Sequence, residues 1–438
     1  MTDIARFDPW LQDDGPAALV IREPLEPVEG RDGVFFPATY APTEDKKTFL
    51  GGYNIDSFSD GTNVCLVDSV GSQANRIEPL FAKPEYAGLV PQVSIRAGEK
   101  TITLLEAGHR AGDAIVRCSE LKGELHGAFK AVLKGNAEPL AKIAPTSLVF
   151  GVWDSRDTEA KLPRLVSSTI RAFNVRKLSR SANYLVQQQL DYTKEELLPL
   201  WESDKAKELY SKRGFLNALA SASHGGVMLM PNGSVKRDAV LSLAALRRLA
   251  VVESNGALST DRTQALRRYI LGLSLVALTA IQDPYLRQGC NLVPADEGKS
   301  RAFEIVHATG KREACAFLPS DPSECVKAAK QYAEAAAKEF GVGTNRAVAF
   351  DKKLAEKEIK GGEEKIKGEV ASLDAAEKKF KLKTGKGKDQ KEIDVLTNDS
   401  TAFLKGKVES TFEQVVAAGA KLDVEVTNGV AVKVAGKK

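Results

Sequence analysis

Between Gly151 and Arg180 the chain sets seven cations, Arg156, Lys161, Arg164, Arg171, Arg176, Lys177 and Arg180, against three carboxylates, Asp154, Asp157 and Glu159. The net charge of this segment, +4, equals that of the whole 438-residue chain. A cationic excess confined to one stretch of a balanced chain is the footprint of a polyanion-binding surface. Arginine dominates the set, and its planar fork holds phosphate oxygens in pairs. Ser155, Ser167, Ser168 and Thr169 lie among the cations and could donate neutral hydrogen bonds to the same phosphates. On a helix, Arg164 and Arg171 would share one face with Ser168 between them. A solvated helix face has the same composition; the hydroxyls and the arginine excess favour phosphate. Lys236 and Arg237 offer a second, weaker cationic point. Ser72, Gln73, Asn75 and Arg76 sit at the start of an expected helix, beside its unpaired amides.

Catalytic sets are poorer. His224 heads His224-Gly225-Gly226-Val227, a loop whose backbone could approach a ligand closely. With Lys236 or Tyr184 it would supply the base, acid and cation that a metal-free ribonuclease needs. No motif fixes that geometry, and a glycine-permitted turn holding a hydrogen-bonded histidine is the simpler reading. Asp154 and Asp157 could ligate a metal, yet Arg156, Lys161 and Arg164 crowd them, so loop-capping or ion-paired acids are expected. Gly298-Lys299-Ser300 lacks the upstream glycine of a phosphate loop, and Gly341-Val342-Gly343 lacks the third glycine of a dinucleotide fingerprint. Cys65, Cys118, Cys290, Cys315 and Cys325 are odd in number and scattered, which argues against disulfides and structural zinc. No catalytic residue, metal or cofactor is expected.

The elements that would position these residues follow from pattern. Ser147 to Trp153 reads as a buried strand, leading through a polar loop into a basic helix that carries Arg164 and Arg171. Val64 to Val67 reads as a strand ending at Asp68, with a polar turn and a helix after it. Residues 92 to 104 read as a hairpin with a four-residue loop, Ile95 opposite Ile102 and Val93 opposite Leu104. Helical patterns run from Asp113 to Lys134, from Asp238 to Val252, and from Asp261 to about Ile281. The last, with Gln264 completing a capping box, is almost wholly apolar and so the core helix. Another helix opens at Asp321-Pro322 and ends at Gly341. Residues 1 to 60 read as mostly loop with short strands.

The length exceeds a typical single domain, and the 43% hydrophobic fraction suffices for a core. Residues 1–345 are expected to form the core and 346–420 a Lys/Glu-rich helical or flexible insertion; Ile359, Ile366, Leu373 and Phe380 recur every seven residues, as in a weak amphipathic helix or hairpin on the surface, interrupted at Gly361-Gly362. Residues 421–438 are expected to form a β-hairpin packing on the core. A Thr427-Asn428-Gly429 loop, with Gly429 left-handed, would pair Val426 with Val430, Val424 with Val432 and Leu422 with Val434, all facing one way. No signal peptide is visible, and the longest apolar run, Tyr269 to Ile281, is too short to span a bilayer. A cytoplasmic protein with no membrane partner is expected.

Phe150-Gly-Val-Trp-Asp-Ser-Arg156 with Lys161-Leu-Pro-Arg-Leu-Val-Ser-Ser-Thr-Ile-Arg171 resembles the Csb-type (Cas-seven class) backbone subunit of type I-U/I-G CRISPR Cascade, a member of the RAMP superfamily. Asp68-Ser-Val-Gly-Ser-Gln-Ala-Asn-Arg76, Ala107-Gly-His-Arg-Ala-Gly-Asp113, His224-Gly-Gly-Val227, Arg237-Asp-Ala239, Leu266-Arg-Arg-Tyr-Ile-Leu-Gly-Leu273 and Leu286-Arg-Gln-Gly-Cys290 carry the resemblance further, in family order. The Lys-rich region from 346 to 420 falls outside it.

The resemblance implies an α+β fold, an RRM-like (ferredoxin-like) core with large insertions and a thumb hairpin; residues 92–104 and the tail are thumb candidates. It implies a non-catalytic subunit that stacks head to tail with copies of itself along CRISPR RNA and joins other Cascade subunits. The RNA, held by its backbone, then presents bases to target DNA. The implied contacts are Ser72, Gln73, Asn75, Arg76, Arg156, Lys161, Arg164, Ser168, Arg171, His224, Lys236 and Arg237. A CRISPR RNA-processing endoribonuclease of the same superfamily, and a basic scaffold that binds no nucleic acid, remain alternatives.

Overall fold

The structure, a computed structural model, describes residues 3–45, 48–180, 183–184, 204–213, 218–219, 224–359, 364–385, 390–398, 400–406, 408–427 and 430–436. It divides into two compact units, residues 1–113 with 123–347, and residues 114–122 with 348–438. Antiparallel sheets and separate helices make the chain α+β, as expected.

In the first unit the strands are β1 (Ala18–Pro27), β2 (Ile55–Ser57) and β3 (Asn63–Asp68), followed by helix α1 (Val70–Ile77). Next come the hairpin β4 (Val93–Ala97) and β5 (Lys100–Thr103), then helices α2 (Lys122–Leu133) and α3 (Pro145–Phe150). Two short strands, β6 (Val152–Trp153) and β7 (Lys161–Leu162), precede the long β8 (Val166–Lys177) and β9 (Val227–Ser242). Helix α4 (Thr260–Thr279), β10 (Tyr285–Arg287), β11 (Cys290–Pro294), β12 (Ala302–Val306), β13 (Arg312–Ala314) and helix α5 (Pro322–Phe340) complete it.

Nine of these strands form one sheet, with the path β10-β11-β1-β9-β8-β3-β2 and with β12 paired to β1 and β13. β1 is therefore central, although its two prolines make it read as loop. Pro24 pairs with Lys236 of β9 on one side. On the other side β12 covers Ala18 to Arg22 and β11 begins at Leu25. Pro24 thus falls at the junction between two partners, where a missing N–H costs least.

Two expectations about the cationic stretch are reversed. Ser147 to Phe150 lie in α3, which has Pro145 in its first turn, not in a strand. The basic helix is the strand β8, held between β9 and β3. Val166, Thr169, Ile170 and Val175 are β-branched and suit a paired, half-buried ribbon better than a helix. Arg164 precedes this strand, so Arg164 and Arg171 do not share a helix face. Likewise Asp238 to Ser242 belong to β9, and only Leu243 to Leu246 are helical within the helix expected up to Val252.

Other readings hold in whole or in part. β3 ends at Asp68 and α1 follows, capped by the Ser69 side chain, which accepts from the Ser72 amide. In the β4–β5 hairpin Ile95 does face Ile102, but Ala97 pairs with Lys100, so the loop has two residues and Leu104 has left the strand. Helix α4 is the buried core helix, every residue from Tyr269 to Thr279 being shielded. It starts at Thr260, and its cap residue Ser259 makes no side-chain cap bond, so the Asp261–Gln264 box is absent. α4 packs closely on α5: a Cβ on Gly272 would lie 2.8 Å from the Ala333 Cα. Asp321 caps α5 by accepting from the Glu324 amide, and Gly341 ends it at φ +71°.

The second unit is a sheet with its own core, where a weak surface helix or hairpin, or a flexible insertion, was expected. Its strands are β14 (Glu364–Asp374), β15 (Lys379–Thr384), β16 (Lys391–Leu396), β17 (Ala402–Lys405), β18 (Val408–Ser410), β19 (Lys421–Thr427) and β20 (Val430–Gly436). Their order is β16-β15-β14-β19-β20-β17-β18. Residues 421–436 pair into this sheet with 364–405. Phe380, Leu382, Val395, Phe412, Leu422, Val424 and Val434 fill its core. Thr427 pairs with Val430 and Val424 with Val434, across a register shift between Glu425 and Val426. That bulge replaces the expected register and still turns Leu422, Val424, Val426, Ala431 and Val434 inward. Gly361, Gly362 and Gly429 lie outside the described residues.

Candidate nucleic-acid interface

Period-two alternation splits β8 and β9 into two faces. Ser168, Ile170, Ala172, Val235, Arg237, Ala239 and Leu241 are buried on one; Ser167, Arg171, Phe173, Lys236, Asp238 and Val240 are half-buried on the other. On this more open face Arg171 stands directly opposite Lys236. The Lys236 ammonium lies 4.6 Å from the Phe173 ring centroid and 4.0 Å from Asp238. Arg171 donates through Nη1 to Thr169 Oγ1 at 3.0 Å and forms no ion pair among the described residues. Like charges set opposite one another on a sheet repel. An anion lying over them would reverse that repulsion.

The covered face holds the α1 residues in a network around Asp68, which is fully buried. Asp68 accepts from Ser72 Oγ at 2.8 Å, Gln73 Nε2 at 2.8 Å and Arg76 Nε at 3.3 Å, and also from Arg287 Nη2. Ser168 Oγ donates to Gln73 Oε1 at 2.9 Å, tying β8 to α1. Ser72, Gln73 and Ser168 are thereby occupied within the fold, while Arg76 and Asn75 remain exposed. Asp68 and Arg287 were missed as a pair, although both lie in segments that carry the family resemblance. Arg237 is also inside, 2% exposed, with Nε 2.6 Å from Glu23 Oε2. It cannot join Lys236 as a surface point, because neighbours on a strand face opposite ways.

Arg110 builds the corner where α1 meets the loop after α3. Buried at φ +54°, it places Nε 2.7 Å from Glu78 Oε2 and donates to the Gly151 carbonyl and Asn75 Oδ1, both at 3.2 Å. Burial lowers the Arg110 pKa, opposed by Glu78. Burial likewise raises the Glu78 carboxyl to about 7, opposed by Arg110. Outside this pair lies exposed Arg164, whose Cγ would be 2.9 Å from a Cβ on Gly151 and whose Nη2 would be 4.0 Å from one on Gly71. Glycine at 151, with φ +77°, is what lets Arg164 cross there.

The loop between β6 and β7 carries Arg156, exposed, and Lys161, whose ammonium is 5.3 Å from the ring centroid of Trp153. Trp153 is 58% exposed, an aromatic surface beside cations that composition alone did not single out. Asp154 is buried and caps this loop, accepting from the Thr158 amide at 2.9 Å and hydroxyl at 2.6 Å. Asp157 lies 2.7 Å from His126 Nδ1. Among the described residues no cluster of three or more His, Cys, Asp or Glu could hold a metal. His224 packs on Tyr53, with ring centroids 5.1 Å apart, and its Cε1 would be 2.8 Å from a Cβ on Gly52. The Gly226 amide donates to Tyr53 Oη at 3.1 Å. The side chain of Tyr184, the other possible partner of His224, lies outside the described residues.

The interface therefore has two groups: exposed Arg164 with Trp153, Lys161 and Arg156 at the α1 corner, and half-buried Arg171 with Lys236 and Phe173 on the open sheet face.

Residues 19–177 match the model of a family described as CRISPR-associated protein GSU0053 (Cas_GSU0053). The match begins in β1 and ends with the last residue of β8, so it spans both groups except Lys236. It supports a CRISPR-associated protein with a role in CRISPR defence. No curated protein matches the chain. Among the described residues no helix is long and apolar enough to cross a membrane.

Proposed function

We propose that the chain is a non-catalytic, Csb-type (Cas-seven class) backbone subunit of a type I-U/I-G CRISPR complex, with an RRM-like core. Copies stack head to tail along CRISPR RNA, grip its phosphates and leave its bases free to pair with target DNA. The observation that carries this reading is the juxtaposition of Arg171 and Lys236 on the open face of β8 and β9, inside or bordering the CRISPR-associated match. Two adjacent cations with a single acid beside them, Asp238 at 4.0 Å from Lys236, suit phosphate contacts, which position a nucleic acid without reading its sequence. Arg164, Arg156 and Lys161 extend the cationic surface, and Trp153 and Phe173 offer rings to bases.

The test is purification of the full chain alone and with a repeat-spacer transcript. Intact, protected RNA in head-to-tail assemblies is expected. Cleavage within the repeat would favour the endoribonuclease reading, and failure to retain RNA would overturn both.

A further inference from the structure

The strands of the second unit lie beyond the matched residues 19–177, and five of them close on themselves. β14, β15 and β16 follow one another as an antiparallel meander. β19 pairs antiparallel with β14 and with β20, and β16 pairs in parallel with β20 at Leu396 and Val430. The ring β14-β15-β16-β20-β19 has the Greek-key order of an OB-fold barrel. Two further features agree with it. The first strand serves two neighbours, β19 from Glu364 to Glu369 and β15 from Glu369 to Asp374, with a register shift between Val370 and Ser372. A short helix, Phe412–Val415, lies between the third and fourth strands of the ring and buries Phe412 and Val415 in the barrel core.

A fold does not assign a function, so the surface must carry the case. In OB-folds the second and third strands face oligonucleotides; here they are β15 and β16. Phe380 and Leu382 of β15 point into the core, and Lys379, Lys381 and Lys383 alternate with them outward, all exposed. Alternate Cα atoms of a strand are about 6.8 Å apart, so the three form a row about 14 Å long. An extended phosphate backbone can follow such a row. From Lys378 to Leu396 the sequence holds seven lysines against Asp389, Glu392 and Asp394, the same net +4 that marks residues 151 to 180. Lys386, Lys388 and Asp389 in that count lie outside the described residues.

The acids beside the row are held loosely. Asp394 lies 3.5 Å from Lys381, and Lys379 pairs with Glu377 and stands opposite Asp374. Exposed pairs of this kind are worth little, so a polyanion displaces them at small cost. Lys383 faces Glu369 and Glu392 in register yet forms no ion pair among the described residues.

We propose that the second unit is an OB-type barrel that binds single-stranded nucleic acid along Lys379, Lys381 and Lys383. Phe380 and Phe412 are buried in the barrel, so the contacts are to phosphates and the binding is indifferent to base identity. No residue of the first unit takes part, and the proposal stands apart from the reading of Arg171 and Lys236.

The full chain is titrated with labelled oligo(U) and oligo(A) of about 16 nucleotides at several salt concentrations. K379Q/K381Q/K383Q, in which every change is exposed, should bind both more weakly by a similar factor, with the slope of log affinity against log salt flatter by about 2. K365Q/K367Q removes two lysines of β14 that pair with Glu425 and Asp423 at 3.1 Å and 3.0 Å, and should leave the slope unchanged. Amine labelling of the parent chain with oligo(U) bound should protect Lys379, Lys381 and Lys383 but not Lys365 and Lys367. An unchanged slope in the triple variant, equal flattening in K365Q/K367Q, or no protection of the three lysines would overturn the proposal. R171A/K236A tests the first unit by itself, so either assignment can fail without the other.

Discussion

Lys236 and Arg237 are adjacent in the chain and separated by the sheet. The Lys236 ammonium lies over the Phe173 ring on the open face, and the Arg237 guanidinium binds Glu23 on the covered face. One cationic dipeptide therefore contributes to two environments, with different consequences for mutation.

On the open face, Arg171→Ala with Lys236→Ala should weaken RNA binding to a similar extent for every sequence. The slope of log affinity against log salt should flatten by about 1 to 2 ions, as two phosphate contacts are lost. Fluorescence titrations at several salt concentrations measure both. An unchanged slope would place these cations outside the RNA path.

On the covered face, Arg237→Ala should cost stability instead. It removes the closest partner of buried Glu23, leaving Arg301 at 3.6 Å as partial compensation. Breaking a buried pair typically costs about 3 to 5 kcal/mol, and the lower end is expected here. Urea unfolding reads the loss; a variant as stable as the parent would show that Arg301 replaces Arg237 fully.

Trp153→Ala should leave stability nearly unchanged, because the ring is 58% exposed. If a base stacks there beside Lys161, RNA affinity should fall by about 1 to 3 kcal/mol. Arg164→Ala should weaken RNA binding independently of Arg171→Ala, since no helix face joins them. Additive losses in the double variant would confirm two separate contacts.

How much of this was legible depended on which force fixed each element. Helix α5 carries its own signals in Asp321, Pro322 and Gly341, and α4 is apolar along its inner half, so both stood out. Strands β8 and β9 gain their conformation from each other and from β1, a tertiary pairing that local helical patterns in Asp238 to Val252 obscured. In the second unit, Lys379-Phe-Lys-Leu-Lys-Thr alternates as a strand should, yet the seven-residue recurrence of Ile359, Ile366, Leu373 and Phe380 fits a surface helix as well as a hairpin. At the candidate interface, residue types revealed the cations but not their directions. Ser72 and Gln73 turn inward because buried Asp68 demands donors, and Ser168 follows by donating to Gln73; a strand that ends at Asp68 does not by itself announce that demand.

Glu78 should give the protein a pH-dependent stability. Burial raises its carboxyl from 4.5 to about 7, against the opposing influence of Arg110. Between those values the folded state keeps a proton that the unfolded chain has lost. Stability from this group is therefore complete below the unfolded value, declines as pH rises toward about 7, and is level above it. Urea unfolding of the parent and of Glu78→Gln, at about pH 5 and about pH 8, isolates the effect. The parent should lose more stability than the variant over that interval, and equal losses would mean that Arg110 holds Glu78 ionised throughout.

The second unit makes a separate demand, because its core is its own. Leu382 is fully buried among Phe380, Val395, Phe412 and Val424. Leu382→Ala leaves a cavity there, and such truncations cost about 2 to 5 kcal/mol. Hydrogen exchange on the full chain resolves where that loss falls. Amides of β14, β15, β16, β19 and β20 should exchange faster, while those of β1, β8 and β9 keep their protection. Equal acceleration in both sheets would mean that the two units unfold as one, and that the two cores are not energetically separate.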